Sequence, residues 1–307
     1  GVTKILAEHA PNRALASVEG TRGLLAIQNG CDHRCTFCII PFGRGEARSA
    51  LPNEAVAQAR VLVASGKKEI VLTGVDLTSY GVDLGDGWTL GRLVRLLLRE
   101  LPQLERLRLS SVDCIEVDDD LIAAFKEDSR LCPHLHLSLQ SGDDLILKRM
   151  KRRHCRQDAV DFCHALRRAR PDIVFGADFI VGFPTETEEM FAATLNIVDD
   201  CKLTHLHVFP YSARPGTPAE RMPQVAPQIA KARAARLREK GDAALRAHLD
   251  RQTGRIVRLL TERGGTSRAA DFTLARTPGA EAGQMIDALC TGHDGRALAT
   301  RFTAFDR

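Results

Sequence analysis

The chain has 307 residues, of which 44% are hydrophobic and 27% charged, with a net charge of +4 at neutral pH. These values fit a globular protein. They exclude a helical membrane protein, since no apolar run approaches about 18 residues, and no signal-peptide pattern opens the chain. Six of the nine cysteines are scattered, which excludes a disulfide framework and fits a reducing cytoplasm. The small net charge does not by itself argue for nucleic acid, so local clusters must carry that case.

Residues 1–22, with Pro11 and Gly20, read as a linker or N-terminal tail. Residues 24–28 form the first predicted strand, and the cysteine stretch Cys31-x3-Cys35-x2-Cys38 follows at once. Three thiolates within eight residues can hold three corners of a cuboidal iron–sulfur cluster, leaving the fourth iron without a ligand from this motif. A simple electron carrier normally fills all four positions with cysteine. An enzyme has use for the open one. The alternative is three buried or zinc-binding cysteines, but zinc favours four ligands in paired knuckles, and no second pair exists here.

Residues 52–66 read as a helix with Pro52 in its first turn and Gly66 at its end. Strands are expected at 69–73, 106–110, 135–139, 173–181 and 205–209, and helices at 90–101, 118–128, 143–170 and 186–201. Strand and helix alternate six times, the pattern of parallel βα units. A barrel and a doubly wound sheet both fit, and both place the ligand site at the carboxyl ends of the strands. Residues 227–252 read as one long basic helix interrupted only by Gly241. Residues 253–307 hold short alternating segments separated by Gly264-Gly265, Pro278-Gly279 and Asp294-Gly295, a small all-β domain.

Candidate site positions follow the strand ends. Thr73-Gly74-Val75-Asp76 is the turn after the second strand, where glycine permits close backbone approach. Gln140 and Ser141 end the fourth strand, and Ser141 or Asp143 is also placed to cap the next helix. Asp178 lies in an otherwise apolar strand, costly unless paired. Gly182 makes a tight turn before Glu186, which is suited to complementing the following helix. Phe209, Tyr211 and Arg214 lie where the sixth strand runs into a loop. His205 and His207 alternate with apolar residues and read as strand histidines with satisfied partners. Lys148, Arg149, Lys151 and Arg152 belong to a run with six Lys or Arg in nine residues. It is either a solvated helix end or a phosphate-contacting rim, joined by Arg44 and Arg48 beside the cysteines.

The spacing Cys31-x3-Cys35-x-Phe37-Cys38 is the signature of radical SAM enzymes, and the longer string from Asn29 to Ser49 resembles their methylthiotransferase branch. That resemblance implies an open (β/α)6 partial TIM-like barrel over 23–226, a connecting helix over 227–252 and a small TRAM-like β-barrel that holds RNA over 253–307. It implies a 4Fe-4S cluster on Cys31, Cys35 and Cys38, with S-adenosyl-L-methionine (SAM) on its open iron. An electron then cleaves the sulfonium to give a 5′-deoxyadenosyl radical. Phe37, Gly74, Val75, Asp76, Gln140, Ser141, Asp178, Gly182 and Phe209 are implied around SAM. The strand at 176–186 resembles the superfamily's G-x-I-x-G-x-x-E pattern. Arg44, Arg48, Lys148, Arg149, Lys151, Arg152, Tyr211 and Arg214 are implied to meet RNA.

Thr73-Gly-Val-Asp-Leu-Thr-Ser-Tyr-Gly81 is similar to the branch that acts on N6-threonylcarbamoyladenosine beside the tRNA anticodon. The branches acting on isopentenyl-adenosine or a ribosomal protein are the alternatives, as is a non-catalytic cluster-containing RNA-binding fragment. The implied partners are the anticodon stem-loop of tRNA and an electron donor such as flavodoxin or ferredoxin, with neither DNA nor a membrane. Full-length members carry a preceding domain whose three cysteines bind a second 4Fe-4S cluster. No cysteine precedes Cys31 here, so this chain alone is expected to cleave SAM without completing methylthiolation.

Overall fold

The structure is a computed structural model that describes residues 14–302. Six parallel strand positions follow one another in chain order. They are β2 (Gly23–Ala26), β5 (Glu69–Thr73), β6 (Arg106–Leu109) continued as β7 (Ser111–Val112), β8 (His134–Gln140), β9 (Val174–Val181) and β10 (Leu203–Pro210). The third position breaks at Ser110, so hydrogen bonding divides into two sheets. One runs β1-β2-β5-β6 and the other β10-β9-β8-β7. Among the described residues neither sheet closes on itself, and β10 ends its sheet unpaired on one side.

The expected tail contributes structure. β1 (Leu15–Ser17) pairs antiparallel with β2, because three residues with a buried Ser17 suffice to cover that edge. A two-residue pair, β3 (Gln28–Asn29) with β4 (Arg48–Ser49), clamps both ends of the cysteine stretch, including α1 (Ile40–Arg44).

The helices form where apolar spacing and caps coincide. α2 (Pro52–Ala64) begins on Pro52. In α3 (Leu90–Glu100), Leu90, Leu93, Val94, Leu97 and Leu98 make one buried stripe, and Thr89 caps the start by accepting from the Arg92 N–H at 3.2 Å. α4 (Asp119–Glu127) is capped by Asp118. The helix expected over 143–170 is two helices, α5 (Asp144–Arg149) and α6 (Arg156–Ala169). Lys151 between them is left-handed, with φ 57°. α7 (Glu188–Asp200) follows β9.

α8 (Pro227–Gln252) is continuous through Gly241. At Gly241 the helix packs tightly on β10: a Cβ there would come within 2.9 Å of Leu206 Cδ1. Three of the basic side chains of α8 are paired within the fold. Arg233 pairs with Glu186 and Glu188, Arg236 with Glu188, and Lys240 with Asp199.

The C-terminal strands β11 (Ile256–Glu262), β12 (Thr266–Ala269), β13 (Leu274–Arg276), β14 (Met285–His293) and β15 (Leu298–Phe302) close into a barrel in the order β11-β12-β13-β15-β14. Its core is small, built on Leu259, Ile286, Ala288 and Leu298 with Leu249 from α8. The barrel sits against the amino ends of the parallel strands. Arg106 donates to the Arg268 carbonyl at 3.1 Å and the Arg258 carbonyl at 2.6 Å, and Arg108 donates to that of Ala269 at 3.3 Å. No helix among the described residues is long and apolar enough to cross a membrane.

Candidate iron–sulfur and SAM site

A cavity of about 170 Å³ opens at the carboxyl ends of the strands, and Cys31, Cys35 and Cys38 all line it. The loop that carries them is held at several points. Gly30 must be glycine: its φ is 74°, and a Cβ would lie 1.8 Å from the Glu46 carbonyl oxygen. The Cys31 N–H donates to the Gly45 carbonyl at 3.1 Å. Thr36 is pinned to the α5–α6 turn, its N–H donating to Met150 O at 3.1 Å and its hydroxyl to Arg149 O at 2.8 Å. Phe37 packs edge-on against Phe183, which packs on Tyr211, so an apolar cluster supports the loop.

Burial pushes the Cys31 thiol up to about 12, with Asp76 and the other two cysteines adding in the same direction. Burial also raises that of Cys38. Cys31 and Cys38 are thus both shifted toward the protonated thiol. Arg152 supplies local positive charge. Its side chain is 8% exposed, pairs with Asp113, and reaches to 3.8 Å from Cys35 Sγ. Burial works against that charge, but Asp113 and Cys35 outweigh it and raise the guanidinium pKa.

The turn after β5 meets the cysteine loop through Gln28. The Gln28 Oε1 accepts from the Asp76 N–H at 2.8 Å, and its Nε2 donates to the Gly30 carbonyl at 2.9 Å. Gly74 is explained by this packing, since a Cβ there would approach Gln28 Oε1 to 2.9 Å. His33 Nε2 lies 2.8 Å from Asp76 Oδ2 and 3.5 Å from Glu116. Those two carboxylates, Asp76 foremost, push His33 up to about 9. Gln140, at the end of β8, is left-handed with φ 71° and lines the cavity. A non-glycine residue held there marks a conformation fixed by its surroundings.

Of the expected cofactor residues, Phe37, Val75, Asp76 and Gln140 share the cavity wall with the cysteines. Others stand elsewhere. Ser141 is buried, its hydroxyl 3.3 Å from Thr194 Oγ1 and accepting from the Asp143 N–H at 3.2 Å, while Asp143 caps α5. Gly182 is required by α8, because a Cβ would lie 2.3 Å from that of Ala230. Glu186 does not cap α7, a role taken by Thr187. It folds back to accept from the Gly182 N–H and pairs with Arg233. Asp178 and Phe209 lie on the strands away from this cavity.

The expected RNA rim is corrected at its centre. Lys148, Lys151, Arg48 and Arg214 are exposed, whereas Arg44, Arg149 and Tyr211 are half-buried. Arg152 turns inward because Asp113 and Cys35, both remote in sequence, draw it in. Arg153 pairs with Glu116 and Arg156 with Asp200. Tyr211 packs its ring on Phe183. The sequence reading missed Gln28, His33 and Asp113. His33 lies between two of the cysteines, the one local signal among the three.

The donor set fits a cluster with an open iron: three thiols share one wall, and the remaining cysteines lie outside it. Residues 25–198 match the radical SAM superfamily. The chain belongs to that superfamily, whose cofactors are SAM and a 4Fe-4S cluster.

Among curated relatives, it is 49% identical over 84% of its length to the threonylcarbamoyladenosine tRNA methylthiotransferase MtaB of Rickettsia prowazekii, of which it covers 62%. It is 36% identical over 85% of its length to a tRNA-2-methylthio-N(6)-dimethylallyladenosine synthase of Acetivibrio thermocellus, of which it covers 54%. The chain thus spans somewhat more than half the length of these relatives. A similar fold occurs in the radical S-adenosylmethionine methyltransferase TsrM of Kitasatospora setae, with a TM-score of 0.55 and 19% identity, covering 66% of this chain and 39% of that one.

Proposed function

We propose that this chain is the SAM-cleaving and RNA-holding part of a cytoplasmic tRNA methylthiotransferase that adds a methylthio group at C2 of N6-threonylcarbamoyladenosine beside the anticodon. The convergence of Cys31, Cys35 and Cys38 on one cavity at the strand ends is the observation that carries this reading. The 49% identity to a relative named for that substrate supports the choice of nucleoside.

Reductive cleavage of the SAM sulfonium is the chemistry that a cluster on these thiols supplies when bound. The protein's own residues prepare for it. Arg152 offsets thiolate charge at Cys35, Gln28 and the Asp76 turn fix the far wall, and the edge-to-face packing of Phe37, Phe183 and Tyr211 supports the loop from beneath. The five-stranded barrel is read as a TRAM-like module for RNA, and a flavodoxin or ferredoxin as the electron donor. The domains are taken as a radical SAM core over 23–226, the helix over 227–252 and the barrel over 253–307.

The test is anaerobic. After reconstitution with iron and sulfide, the chain given dithionite and SAM forms 5′-deoxyadenosine, and Cys35→Ala does not. A bound cluster without product would favour the RNA-binding fragment. Methylthiolated RNA made by these 307 residues alone would contradict the assignment of a partial reaction.

A further inference from the structure

Three adjacent parallel strands carry a polar cluster outside the cysteine cavity. His136 stands on β8, Asp178 on β9 and His207 on β10. Asp178 Oδ1 lies 3.0 Å from His136 Nε2 and 3.2 Å from His207 Nδ1, and the two imidazole centroids are 4.4 Å apart. Gly176 makes the room, since a Cβ there would lie 2.5 Å from His136 Nδ1. The arrangement is built: a glycine is needed for one histidine to reach the aspartate, and a single carboxylate oxygen takes both rings.

Strand parity shows where the cluster faces. Side chains alternate along a strand, two residues spanning about 7 Å. Ser138 and Gln140 line the cysteine cavity, so His136, of the same parity, continues that face away from the cavity. His207 pairs in register with Asp178, and Phe209 with Ile180. Leu137, Phe179 and Val208, of the other parity, pack into the hydrophobic core. Because β10 ends its sheet, this face opens sideways, and the His207 side chain is 59% exposed. Phe209 is 52% exposed, its ring 6.5 Å from that of His207.

The surroundings suit an anion or an acceptor. Asp178 holds His207 towards its charged form, and Nδ1 is engaged, which leaves Nε2 as the second donor. His136 and His207 also line a cavity of about 490 Å³ in which Arg238, Arg268 and Arg296 outnumber Asp242. Phe209 offers a face for a base to stack on, and a substituent on that base's edge would reach the histidines one register step away.

We propose that His207, oriented by Asp178 and His136, is a specificity-determining residue that binds the carboxylate of the threonylcarbamoyl group. This rests on the tRNA reading given above. A dimethylallyl group offers no acceptor and would leave the polar edge of the His207 ring facing hydrocarbon, and sites built to hydrogen-bond a polar group reject analogues that lack it.

Three short anticodon stem-loop RNAs test this, differing only in one adenosine: threonylcarbamoylated, dimethylallylated or unmodified. Binding to the reconstituted 307-residue chain is followed by fluorescence anisotropy, alongside SAM cleavage. The wild type is expected to favour the threonylcarbamoyl RNA over the other two by about tenfold or more. His207→Phe removes that preference and leaves affinity for unmodified RNA, and SAM cleavage, intact. Asp178→Asn, a positioning change, narrows the preference while affinity for unmodified RNA is unmoved. If the wild type prefers the threonylcarbamoyl RNA and His207→Phe keeps the preference, the inference alone is overturned. If the wild type shows no preference, the substrate reading falls and takes the inference with it.

Discussion

The two ends of the parallel strands are built from similar materials and finished differently. At the amino ends, Glu69 is fully buried and answered by Arg108 at 2.7 Å and Arg106 at 3.6 Å. Both arginines then spend further donors on carbonyls of the C-terminal barrel. Phe272 of that barrel stacks on His134 at 5.1 Å and lies under Arg268 and Arg108 at 4.4 and 5.1 Å. At the carboxyl ends, three thiols, an inward arginine and a strained Gln140 surround a cavity that the chain does not fill. The amino end spends its polar groups on holding the barrel. The carboxyl end keeps its own for a ligand, as expected for parallel strand ends.

The largest effect should come from breaking the buried ion cluster at the amino end. Glu69→Ala strands two buried arginines, and breaking such a pair costs about 3–5 kcal/mol. Urea denaturation should show that loss. A change below about 1 kcal/mol, the range of surface ion pairs, would show that this cluster is not what couples barrel to core. Next is the frame of the open end. Gly30→Ala imposes backbone strain of about 1–3 kcal/mol as well as the clash with Glu46. It should abolish iron loading while the far-UV circular dichroism stays native, and normal loading would refute the strict requirement for glycine.

A smaller effect separates the ends by pH. Burial, with His248 and Arg268 adding to it, holds His205 down to about 4, and burial lowers His134 well below the ordinary value. These groups favour the folded state fully above their unfolded value near 6.5. As pH falls below that, the unfolded chain takes up protons that the folded chain refuses, so stability is lost. His207 has the opposite sign: raised by Asp178, it stabilises at low pH and fades as pH rises through its folded value. Thermal stability should therefore fall from pH 7 to pH 5 in wild type, and less so in a Phe272→Ala variant that lets water reach His134. An equal loss in both would place the sensitivity elsewhere.

Much of this was legible locally. The cysteine spacing, Pro52, the leucine stripe of α3 and the turn glycines of the barrel are short-range signals, and each marks a feature that formed. What escaped depends on partners remote in sequence. Arg152 reads as one cation among six until Asp113 arrives from the third strand. Gly74 and Gly182 read as places for a ligand, yet the atoms that demand glycine there belong to Gln28 and Ala230. Ser110 looked like the end of one strand and is the seam between two sheets. His136, Asp178 and His207 lie on separate strands, and only register brings them together.

The central claim is that Cys31, Cys35 and Cys38 hold a cluster whose fourth iron is open. Its most direct test is electron paramagnetic resonance of the reconstituted, reduced chain with and without SAM, against iron and sulfide content. The account predicts about four irons and four sulfides per chain, a spectrum that shifts when SAM is added, and loss of both iron and signal in Cys35→Ala with folding retained. A full cluster whose spectrum ignores SAM, or zinc in place of iron, would contradict it.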